Sequence, residues 1–509
     1  MLKRTTPFVY LFLLSIFMLT SCGQGKKKGT ENPDKKKPNI IFILADDLGY
    51  ADLGCYGSDK IETPNIDRLA ADGMKFTQFY AGSSVCAPSR CVLLTGKHSG
   101  HSDIRNNNPW ASRGNVWSLE AMTKDSTLEG QPPMRKSTVT IASVLKKAGY
   151  KTGMSGKWGL GAPNTRSTPT QKGFDFFIGY NCQRVAHTYY PPFLYKNDRR
   201  IYLDNKVIPL AEKLPANADP YDEKSYERYT QKDYTPDIMF AEMEKFITEN
   251  RDQPFFFYWA TPIPHVALQA PKRWVDYYVK KFGDEKPYTG NNGYYPCRYP
   301  HATYAAMISY LDENIGKMVK KLKELGIYDN TLIIFTSDNG PTFNGGADSP
   351  WFQSAGILGS RLNEIKSSLD DGGVRIPFIA QWPGKIRPGI VSKHIGAFWD
   401  IFPTFCDAAG LKTPEGLDGV SVLPELLGED GQQQHEYLYW ELGRNQAIRW
   451  GKWKAIRPLK GKERKIRLFD LDTDIKERKD VAAENPEVIK KMEELFAAAR
   501  TEPVKYSFN

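Results

Sequence analysis

The sequence is poor in cysteine and in histidine, with 7 of each among its 509 residues. The cysteines form no Cys-x-x-Cys pair and no dense framework, so neither a zinc site nor a disulfide scaffold is indicated; one or two disulfides stay open for an exported protein. An internal repeat is also lacking, which excludes a solenoid. Despite a net charge of +10 there is no clustered basic stripe in the part of the chain that is expected to fold, and we expect no nucleic-acid partner.

A long apolar run is missing as well, and the short one at residues 8–19 is too short for a typical membrane-spanning helix. It follows Lys3 and Arg4, an order that is typical of a secretory signal peptide. The run ends in the string LTSCG at residues 19–23, which resembles the lipobox of bacterial lipoproteins. That resemblance implies a signal peptide over residues 1–21 and a lipid anchor on Cys22. Plain signal cleavage with an incidental cysteine is the alternative.

Residues 22–37 contain Gly, Lys and Pro and almost no apolar side chain. Such a composition cannot bury enough apolar surface to fold, and it predicts a flexible tether. Together with the lipobox, the tether leads us to expect an exported protein that is anchored to a membrane, in the periplasm or at the cell surface.

Three continuous apolar runs predict strands that are buried on both faces of a sheet, at residues 39–44, 254–261 and 331–336. Amphipathic patterns predict helices at residues 66–74, 138–148 and 304–325. Strands that alternate with helices are typical of an α/β fold. We expect a large mixed, mostly parallel sheet sandwiched by helices, in a catalytic domain of residues 38–424.

The pattern changes after residue 424. Short strand-like pieces follow at residues 437–442, 446–450, 452–457 and 467–470, and a closing helix is predicted at residues 486–500. Residues 425–509 are therefore predicted to form a smaller C-terminal α+β subdomain, an antiparallel sheet with one helix packed on it.

Two of the predicted buried strands run into oxygen-bearing side chains. The first strand leads to Asp46 and Asp47, and the third leads to Asp338 and Asn339. In open parallel sheets the ligand site lies at the carboxyl ends of the strands, so neighbouring strands would gather three carboxylates and an amide in one small volume. Carboxylates that close repel one another unless a cation lies between them, and hard oxygen ligands suit Ca²⁺, and less well Mg²⁺, rather than zinc. Either pair alone is explained by helix capping or turn formation; both pairs together favour a metal site.

The string SVCAPSRCVLLTG at residues 84–96 is the most specific pattern of the chain. A lone cysteine near an arginine is normally a buried structural thiol. Here Cys86 begins a Cys-x-Pro-Ser-Arg motif that ends at Arg90 and is followed by Leu-Thr-Gly. The motif resembles the signature of the formylglycine-dependent sulfatases, a family of arylsulfatase type in the alkaline phosphatase superfamily. The resemblance extends from residue 38 to the C-terminus as one sulfatase unit.

In that family a dedicated maturation enzyme oxidises the cysteine to formylglycine (3-oxoalanine), an aldehyde that hydrates to a geminal diol. One hydroxyl of the diol attacks sulfur, and the other releases sulfate as the aldehyde re-forms. The resemblance thus implies that Cys86 becomes the nucleophile and that the chain needs such a maturation enzyme as a partner. It also implies a bound Ca²⁺, whose ligands in the family match Asp46, Asp47, the modified Cys86, Asp338 and Asn339.

Four further residues match family positions that handle the ester. Arg90 matches the arginine that steadies the hydrated aldehyde, and Lys157 and Lys366 match the two lysines that bind sulfate. His265 matches the histidine near the leaving oxygen, where it could protonate the alcohol. Taken singly, the lysines are explained as surface residues and the histidine as a core residue; their order along the chain favours the catalytic roles. Fixed cations stabilise the negative charge that develops on the bridging oxygen.

The chain departs from the family pattern at one position. Many members read Gly-Lys-Trp-His-Leu-Gly, whereas residues 156–161 here read GKWGLG, so Gly159 replaces a histidine. We hypothesise that His187, in an aromatic and loop-like stretch, supplies the missing imidazole; a substrate-subsite or structural histidine is equally open. His101, Arg105 and Asn107 follow the nucleophile motif and are candidates for the sugar pocket, with plain surface residues as the alternative.

The resemblance implies hydrolysis of sulfate esters, and the exported, anchored context favours a sulfated carbohydrate as substrate. Two alternatives stay open. The first is a phosphoric or phosphonate ester hydrolase of the same superfamily. The second is a catalytically dead, glycan-binding lipoprotein, which the histidine missing at position 159 would permit.

Overall fold

The computed structural model describes residues 1–2, 37–461 and 464–503. Cys22 and, apart from residues 1–2 and 37, the predicted signal peptide and tether lie outside the described residues. From Lys37 onward the described chain forms one compact unit. Among the described residues no helix has both the length and the hydropathy of a membrane span.

The strands alternate with helices along the first four-fifths of the chain, as the sequence predicts. The described strands are β1 Asn39–Ala45, β2 Met74–Tyr80, β3 Lys151–Lys157, β4 Phe176–Tyr180, β5 Phe193–Lys196, β6 Arg199–Tyr202, β7 Phe255–Ala260, β8 Thr331–Ser337, β9 Arg375–Gln381, β10 Ile390–Ser392, β11 Gly396–Ala397, β12 Leu438–Leu442, β13 Asn445–Trp450, β14 Trp453–Pro458 and β15 Arg467–Asp470. The described α-helices are α1 Pro64–Ala71, α2 Cys86–Thr95, α3 Leu119–Lys124, α4 Ile141–Lys147, α5 Thr235–Glu249, α6 Lys272–Phe282, α7 Pro300–Glu324, α8 Ser349–Phe352, α9 Asp371–Val374, α10 Ile401–Ala408, α11 Leu423–Leu427 and α12 Pro486–Ala498.

The large sheet has the strand order β10-β2-β9-β8-β1-β7-β3-β4-β5-β6, and β11 pairs with β2. Its five central strands, from β8 to β4, are all parallel to their neighbours. Strand β9 runs antiparallel to β8 and β2, and β5 runs antiparallel to β4 and β6. The mixed, mostly parallel sheet that the sequence predicts is therefore confirmed.

Helices cover both faces of this sheet, because its central strands are apolar on both sides. In β1 the side chains of Phe42 and Leu44 belong to a core with α2, α4 and α10. The intervening Ile41 and Ile43 belong to a second core with α1, α5 and α7. Burial on both faces is consistent with the central position of β1, between β8 and β7.

The C-terminal sheet has the order β12-β13-β14-β15, with antiparallel pairing throughout. Helix α12 packs on it through Met492 and Phe496, which share a core with Ile448 and Leu468. The predicted α+β arrangement is confirmed, whereas the domain boundary at residue 424 stays a prediction.

Two predicted helices are clearly shorter than expected. The helix predicted at residues 138–148 spans only Ile141–Lys147. The helix predicted at residues 66–74 ends at Ala71, and Met74 already begins β2. Gly73 lies so close to the Ala380 carbonyl of β9 that a Cβ atom there would be 2.3 Å from the oxygen. The approach of β9 therefore ends the helix at a glycine, which periodicity alone does not reveal.

Candidate active site

The site begins where β1 and β8 end side by side. The two strands are in register up to Ala45 and Ser337, so Asp46 and Asp338 follow at the same level. The Asp47 amide donates to Asp338 Oδ1 at 3.2 Å, and Asn339 Nδ2 donates to Asp47 Oδ1 at 2.8 Å. All four side chains that the sequence places at these strand ends are fully buried. The structure thus brings the two predicted acidic strand ends into direct contact.

Cys86 lies at the first residue of α2 and faces these carboxylates. Its Sγ atom is 3.3 Å from Asp46 Oδ1 and 3.6 Å from Lys157 Nζ. Only 1% of the residue is exposed. Burial, and next the Asp46 carboxylate, raise the pKa of the Cys86 thiol well above its usual value. The unmodified thiol is therefore neutral at physiological pH, and a neutral thiol is a poor nucleophile.

Arg90 lies one turn further along α2 and joins both acidic strand ends. Its Nη2 atom is 2.9 Å from Asp338 Oδ2 and 3.2 Å from Asp46 Oδ2, while Nη1 donates to the Lys157 carbonyl at 2.6 Å. Burial would lower the pKa of Arg90, but the Asp338 and Asp46 carboxylates raise it above its usual value. Arg90 therefore stays charged and holds the start of α2 against the sheet.

The two predicted sulfate-binding lysines reach the same carboxylates from different elements. Lys157, the last residue of β3, places Nζ 2.6 Å from Asp46 Oδ2. Lys366 comes from a loop and places Nζ 2.6 Å from Asp47 Oδ2. That loop is fixed on both sides, since Lys366 N donates to Pro341 O at 3.2 Å and Ser367 N donates to Ser84 O at 2.9 Å.

The neighbouring charges shift the pKa values of the buried carboxylates. Burial alone would raise the pKa of Asp46, but Lys157, His265 and Arg90 lower it below its usual value. Burial and the Asp46 carboxylate raise the pKa of Asp338. The pKa values of these two neighbouring buried carboxylates thus shift in opposite directions, as expected where like charges share a site.

His265 follows β7 and brings an imidazole to the group around Cys86. Its Nε2 atom lies 3.7 Å from Asp47 Oδ2, and Nδ1 contacts the Val266 carbonyl. Burial, and next the Lys157 ammonium, lower the pKa of His265 to about 4. Nδ1 donates to the carbonyl, which leaves Nε2 as the nitrogen that faces the carboxylates.

His187 lies against His265, as the hypothesis of a substitute imidazole requires. The two rings are stacked with their centroids 5.2 Å apart. Gly159 has a φ of +69°, and a Cβ atom there would lie 2.5 Å from Gln183 Cγ, so no larger residue fits without displacing Gln183. His187 therefore lies beside the reacting groups, and its role in catalysis stays a prediction.

The donor set fits a hard divalent cation. Ligand atoms of Asp46, Asp47, Cys86 and His265 all lie within 4.8 Å of one another. Asn339 Oδ1 is buried at the same place and, among the described residues, accepts no hydrogen bond. Carboxylate and amide oxygens are the ligands that Ca²⁺ and Mg²⁺ take, and a buried orphaned amide oxygen needs a partner.

The three candidates for the sugar pocket lie in different places. Asn107 contacts the nucleophile helix, since its Oδ1 accepts from Ala87 N at 3.3 Å. His101 pairs with Asp418, with Nδ1 2.9 Å from Oδ1. Arg105 pairs with Glu441 and donates to the Thr501 carbonyl. The structure joins only Asn107 to the group around Cys86, and sugar binding by all three stays a prediction.

Tyr294 is a site residue that the sequence did not single out. Its ring centroid lies 5.0 Å from that of His187 and 5.7 Å from that of His265. Its φ of +63° is unusual for a non-glycine residue. Nothing in the local sequence, a run of Gly and Tyr, distinguishes this tyrosine from its neighbours.

Two families of known proteins match the chain. The family described as "Sulfatase" matches residues 38–411. The family described as "N-sulphoglucosamine sulphohydrolase, C-terminal" matches residues 366–502. Between them the two matches span both the large sheet and the C-terminal sheet.

Individual proteins match over most of their length. An N-acetylgalactosamine-6-O-sulfatase of Bacteroides thetaiotaomicron is 30% identical, over 96% of this chain and 98% of that protein. Human arylsulfatase A is 32% identical, over 82% of this chain and 75% of that protein. Among solved structures, Ps i-CgsB in complex with k-i-k-neocarrahexaose is similar with a TM-score of 0.70 and 28% identity, over 92% of this chain and 95% of that chain.

Proposed function

The chain belongs to the sulfatase family and is a sulfuric ester hydrolase; from this premise we propose that it desulfates a sulfated carbohydrate through an oxidised Cys86 beside a bound Ca²⁺. The observation that carries the proposal is the position of Cys86 Sγ, 3.3 Å from Asp46 and 3.6 Å from Lys157. Residue 86 therefore contacts Asp46, which is suited to bind a cation, and Lys157, which is suited to bind an anion.

The proposed modification accounts for the unreactive surroundings of the cysteine. A buried thiol beside a carboxylate stays protonated, as the raised pKa of Cys86 indicates. Oxidised to 3-oxoalanine by a formylglycine-generating maturation enzyme, residue 86 would supply a hydrated aldehyde as the nucleophile. Arg90 is placed to orient that group, because it fixes the start of α2 to Asp46 and Asp338.

The proposed cation is Ca²⁺, with Mg²⁺ less well suited to a set of this size. Asp46, Asp47, residue 86, Asp338 and Asn339 would hold it. Bound there, it would supply positive charge that lowers the pKa of a coordinated hydroxyl and stabilises developing negative charge. The support is the buried pair of carboxylates, Asp46 and Asp47, whose oxygens lie within 4.8 Å of Cys86 Sγ, together with the orphaned Asn339 Oδ1.

The remaining residues would bind the ester and manage its proton. Lys157 and Lys366 bring ammonium groups to Asp46 and Asp47 beside residue 86, where they can stabilise the charge of the sulfate group in the transition state. His265 Nε2 is the nitrogen free to exchange a proton with the leaving oxygen, since Nδ1 faces the Val266 carbonyl. An anionic ester beside this ring would favour its protonated form.

The proposed substrate class comes from the relatives. One is named for the 6-O-sulfate of N-acetylgalactosamine, and one similar structure holds a neocarrahexaose. We take N-acetylgalactosamine 6-sulfate as the first candidate substrate.

The test is to produce the chain with and without a formylglycine-generating enzyme. Mass spectrometry of the peptide that contains Cys86 would measure its conversion, and sulfate release would be measured on N-acetylgalactosamine 6-sulfate and on an aryl sulfate. Turnover that rises with the converted fraction, and that Cys86→Ala abolishes, is the expected result. Equal turnover of matched phosphate or phosphonate esters, or turnover by the unconverted chain, would contradict it.

The location of the protein is a separate proposal. Residues 1–21 and Cys22 support export and lipid anchoring, in the periplasm or at the cell surface. Expression in a bacterium, followed by membrane fractionation, tests it: the full chain should be found with membranes, and Cys22→Ser should release it. A Cys22→Ser chain that stays with the membranes would refute the anchor.

A further inference from the structure

Four side chains outside the proposed catalytic set form a continuous group, which we call the rim cluster: Trp117, Arg184, His187 and Tyr294. The Arg184 guanidinium lies over the Trp117 ring, 4.3 Å from its centroid. Arg184 Nη1 donates to His187 Nδ1 at 3.3 Å, and the His187 ring packs at a tilt against that of Tyr294, with the centroids 5.0 Å apart. The cluster thus joins an indole, a guanidinium, an imidazole and a phenol.

The rim cluster adjoins the reacting groups. The ring of His187 lies 5.2 Å from that of His265, and a ring nitrogen of His265 lies within 4.8 Å of Cys86 Sγ. Two imidazole rings therefore separate the Arg184 guanidinium from the nucleophile. Arg184 is thus set back from the reacting groups, where it could meet a part of the substrate other than the cleaved ester.

Arg184 is a half-buried cation with no carboxylate partner among the described residues. Its other contact is a long hydrogen bond from Nε to the Trp117 carbonyl, at 3.5 Å. Removing a guanidinium from water without an opposite charge is costly, and such a group is retained where it serves binding. The three catalytic cations, in contrast, each face a buried carboxylate.

Trp117 gives the cluster an apolar surface at the solvent boundary. Its indole is 54% exposed even though Arg184 covers one face. The exposed Trp117 ring can pack on a sugar. The planar guanidinium of Arg184 can bind an oxyanion through two hydrogen bonds. The same combination suits neither an apolar ligand nor a cationic one.

We propose that the rim cluster is a subsite for a second anionic group of the substrate, a carboxylate or a further sulfate carried by the sugar next to the cleaved ester. This inference rests on the proposed function and specifies the substrate class as a polyanionic saccharide. Arg184 binds the second anion, Trp117 packs on the sugar, and His187 and Tyr294 line the passage to Cys86.

The test compares Arg184→Gln with the unchanged chain on three substrates: an aryl sulfate, a mono-sulfated N-acetylhexosamine, and that sugar carrying either a neighbouring uronate or a second sulfate. A hydrogen bond between charged groups contributes enough for a loss of about 10- to 100-fold in kcat/KM on the polyanionic sugars, mainly through KM. On the aryl sulfate we expect a change below about twofold. The uronate and disulfate arms show which anion is bound.

Arg113→Gln is the matched control. Arg113 also lies on an indole, 4.6 Å from the ring of Trp110, and donates to the Glu129 carbonyl, but it makes no contact with His187. We expect it to leave all three substrates unaffected. Arg184→Lys, which keeps the charge and loses the planar fork, should recover part of the preference for polyanionic sugars.

Two results would overturn the inference. Equal losses on the aryl sulfate and on the polyanionic sugars would show that Arg184 only supports His187, and an unchanged KM for the polyanionic sugars would show that no second anion is bound. Calorimetric binding of the same sugars to Cys86→Ala chains, with and without Arg184→Gln, separates this outcome from a failure of the proposed function, because it needs no turnover. Binding that Arg184→Gln does not weaken likewise refutes the subsite.

Discussion

Lys157 Nζ lies 2.6 Å from Asp46 Oδ2, so a residue suited to sulfate and a residue suited to a metal form one buried ion pair. Lys366 and Asp47 repeat the arrangement at the same distance. Each carboxylate is therefore shared between a lysine and the proposed cation. A divalent cation on the carboxylates would leave both ammonium groups available to an anionic ester, and cation binding and ester binding should support each other.

Lys157→Met should lower kcat/KM for sulfate release by about 10²- to 10³-fold, the usual cost of removing one preorganised donor from a transition state. Initial rates on an aryl sulfate measure it. Lys172→Met is the matched control, because Lys172 is also buried but donates to the backbone carbonyls of Arg135 and Thr138. The control should lower the melting temperature while the folded fraction keeps its kcat/KM. Equal rate losses in both variants would contradict the assigned role.

Ca²⁺ should stabilise the folded chain against unfolding, by about 2.7 kcal/mol at a concentration 100 times its Kd. Thermal melts with Ca²⁺, with Mg²⁺ and with a chelator measure the effect without turnover. Asp338→Asn should reduce the Ca²⁺-dependent shift. Asp52→Asn should keep it, since Asp52 is equally buried but is bonded to Gly49 and Tyr304. A shift that survives Asp338→Asn unchanged would place the ion elsewhere.

The stability of the fold should fall as the pH drops from 6.5 towards 4, in part through His98. Burial lowers the pKa of His98 from 6.5 to about 4, even though Asp418 opposes the shift. Between these two pH values the His98 imidazole is protonated in the unfolded chain and neutral in the folded chain. Stability that is present above pH 6.5 is therefore lost as the pH falls towards 4. One such histidine accounts for about 3 kcal/mol.

His98→Gln should flatten this pH dependence, because glutamine keeps an acceptor for the Gly100 amide and cannot take up a proton. Urea titrations at pH 7, 5.5 and 4.5 measure it. The variant leaves the neighbouring His101 and Asp418 unchanged, so any pH dependence that these two residues cause remains in it. A slope as steep as that of the unchanged chain would assign the pH dependence to other groups.

Lys454→Met should destabilise the chain by about 3–5 kcal/mol, the cost of leaving a buried charge without its partner. Lys454, on β14, is fully buried, with Nζ 2.6 Å from Asp371 and 3.2 Å from Glu477. Lys452→Met is the control, because Lys452 pairs with Asp470 at the surface and should cost less than about 1 kcal/mol. Urea titrations measure the free energy of unfolding of both variants. An equally small loss of stability in Lys454→Met and Lys452→Met would show that the buried pair contributes little.

The sequence predicts those strands of the fold that are continuous apolar runs. Strands β1, β7 and β8 begin and end within one residue of their predicted limits. Strand β3 was missed, because its sequence KTGMSGK contains Gly and Ser and no apolar run. Its glycines admit close neighbours: a Cβ at Gly156 would lie 1.9 Å from the Ala260 carbonyl of β7. Such packing depends on the partner strand and cannot be seen in a local pattern.

For the site, the sequence predicts residues that belong to a specific motif and misses those that depend on how loops meet. Asp46, Asp338 and Cys86 come together as expected, because adjacent strands end at one edge. Arg184 is only three residues before His187, but it has no motif of its own. Tyr294 comes from a distant loop, and its position beside His187 depends on a tertiary contact that no local pattern in a single sequence reveals.

The backbone at Gly159 limits how this enzyme can be changed. A histidine introduced there would need a left-handed φ of +69° and would collide with Gln183. A single replacement at this position would therefore strain the backbone and displace the side chain of Gln183. Replacing Gly159 and Gln183 together is the smallest change that would make room for an imidazole ring at position 159.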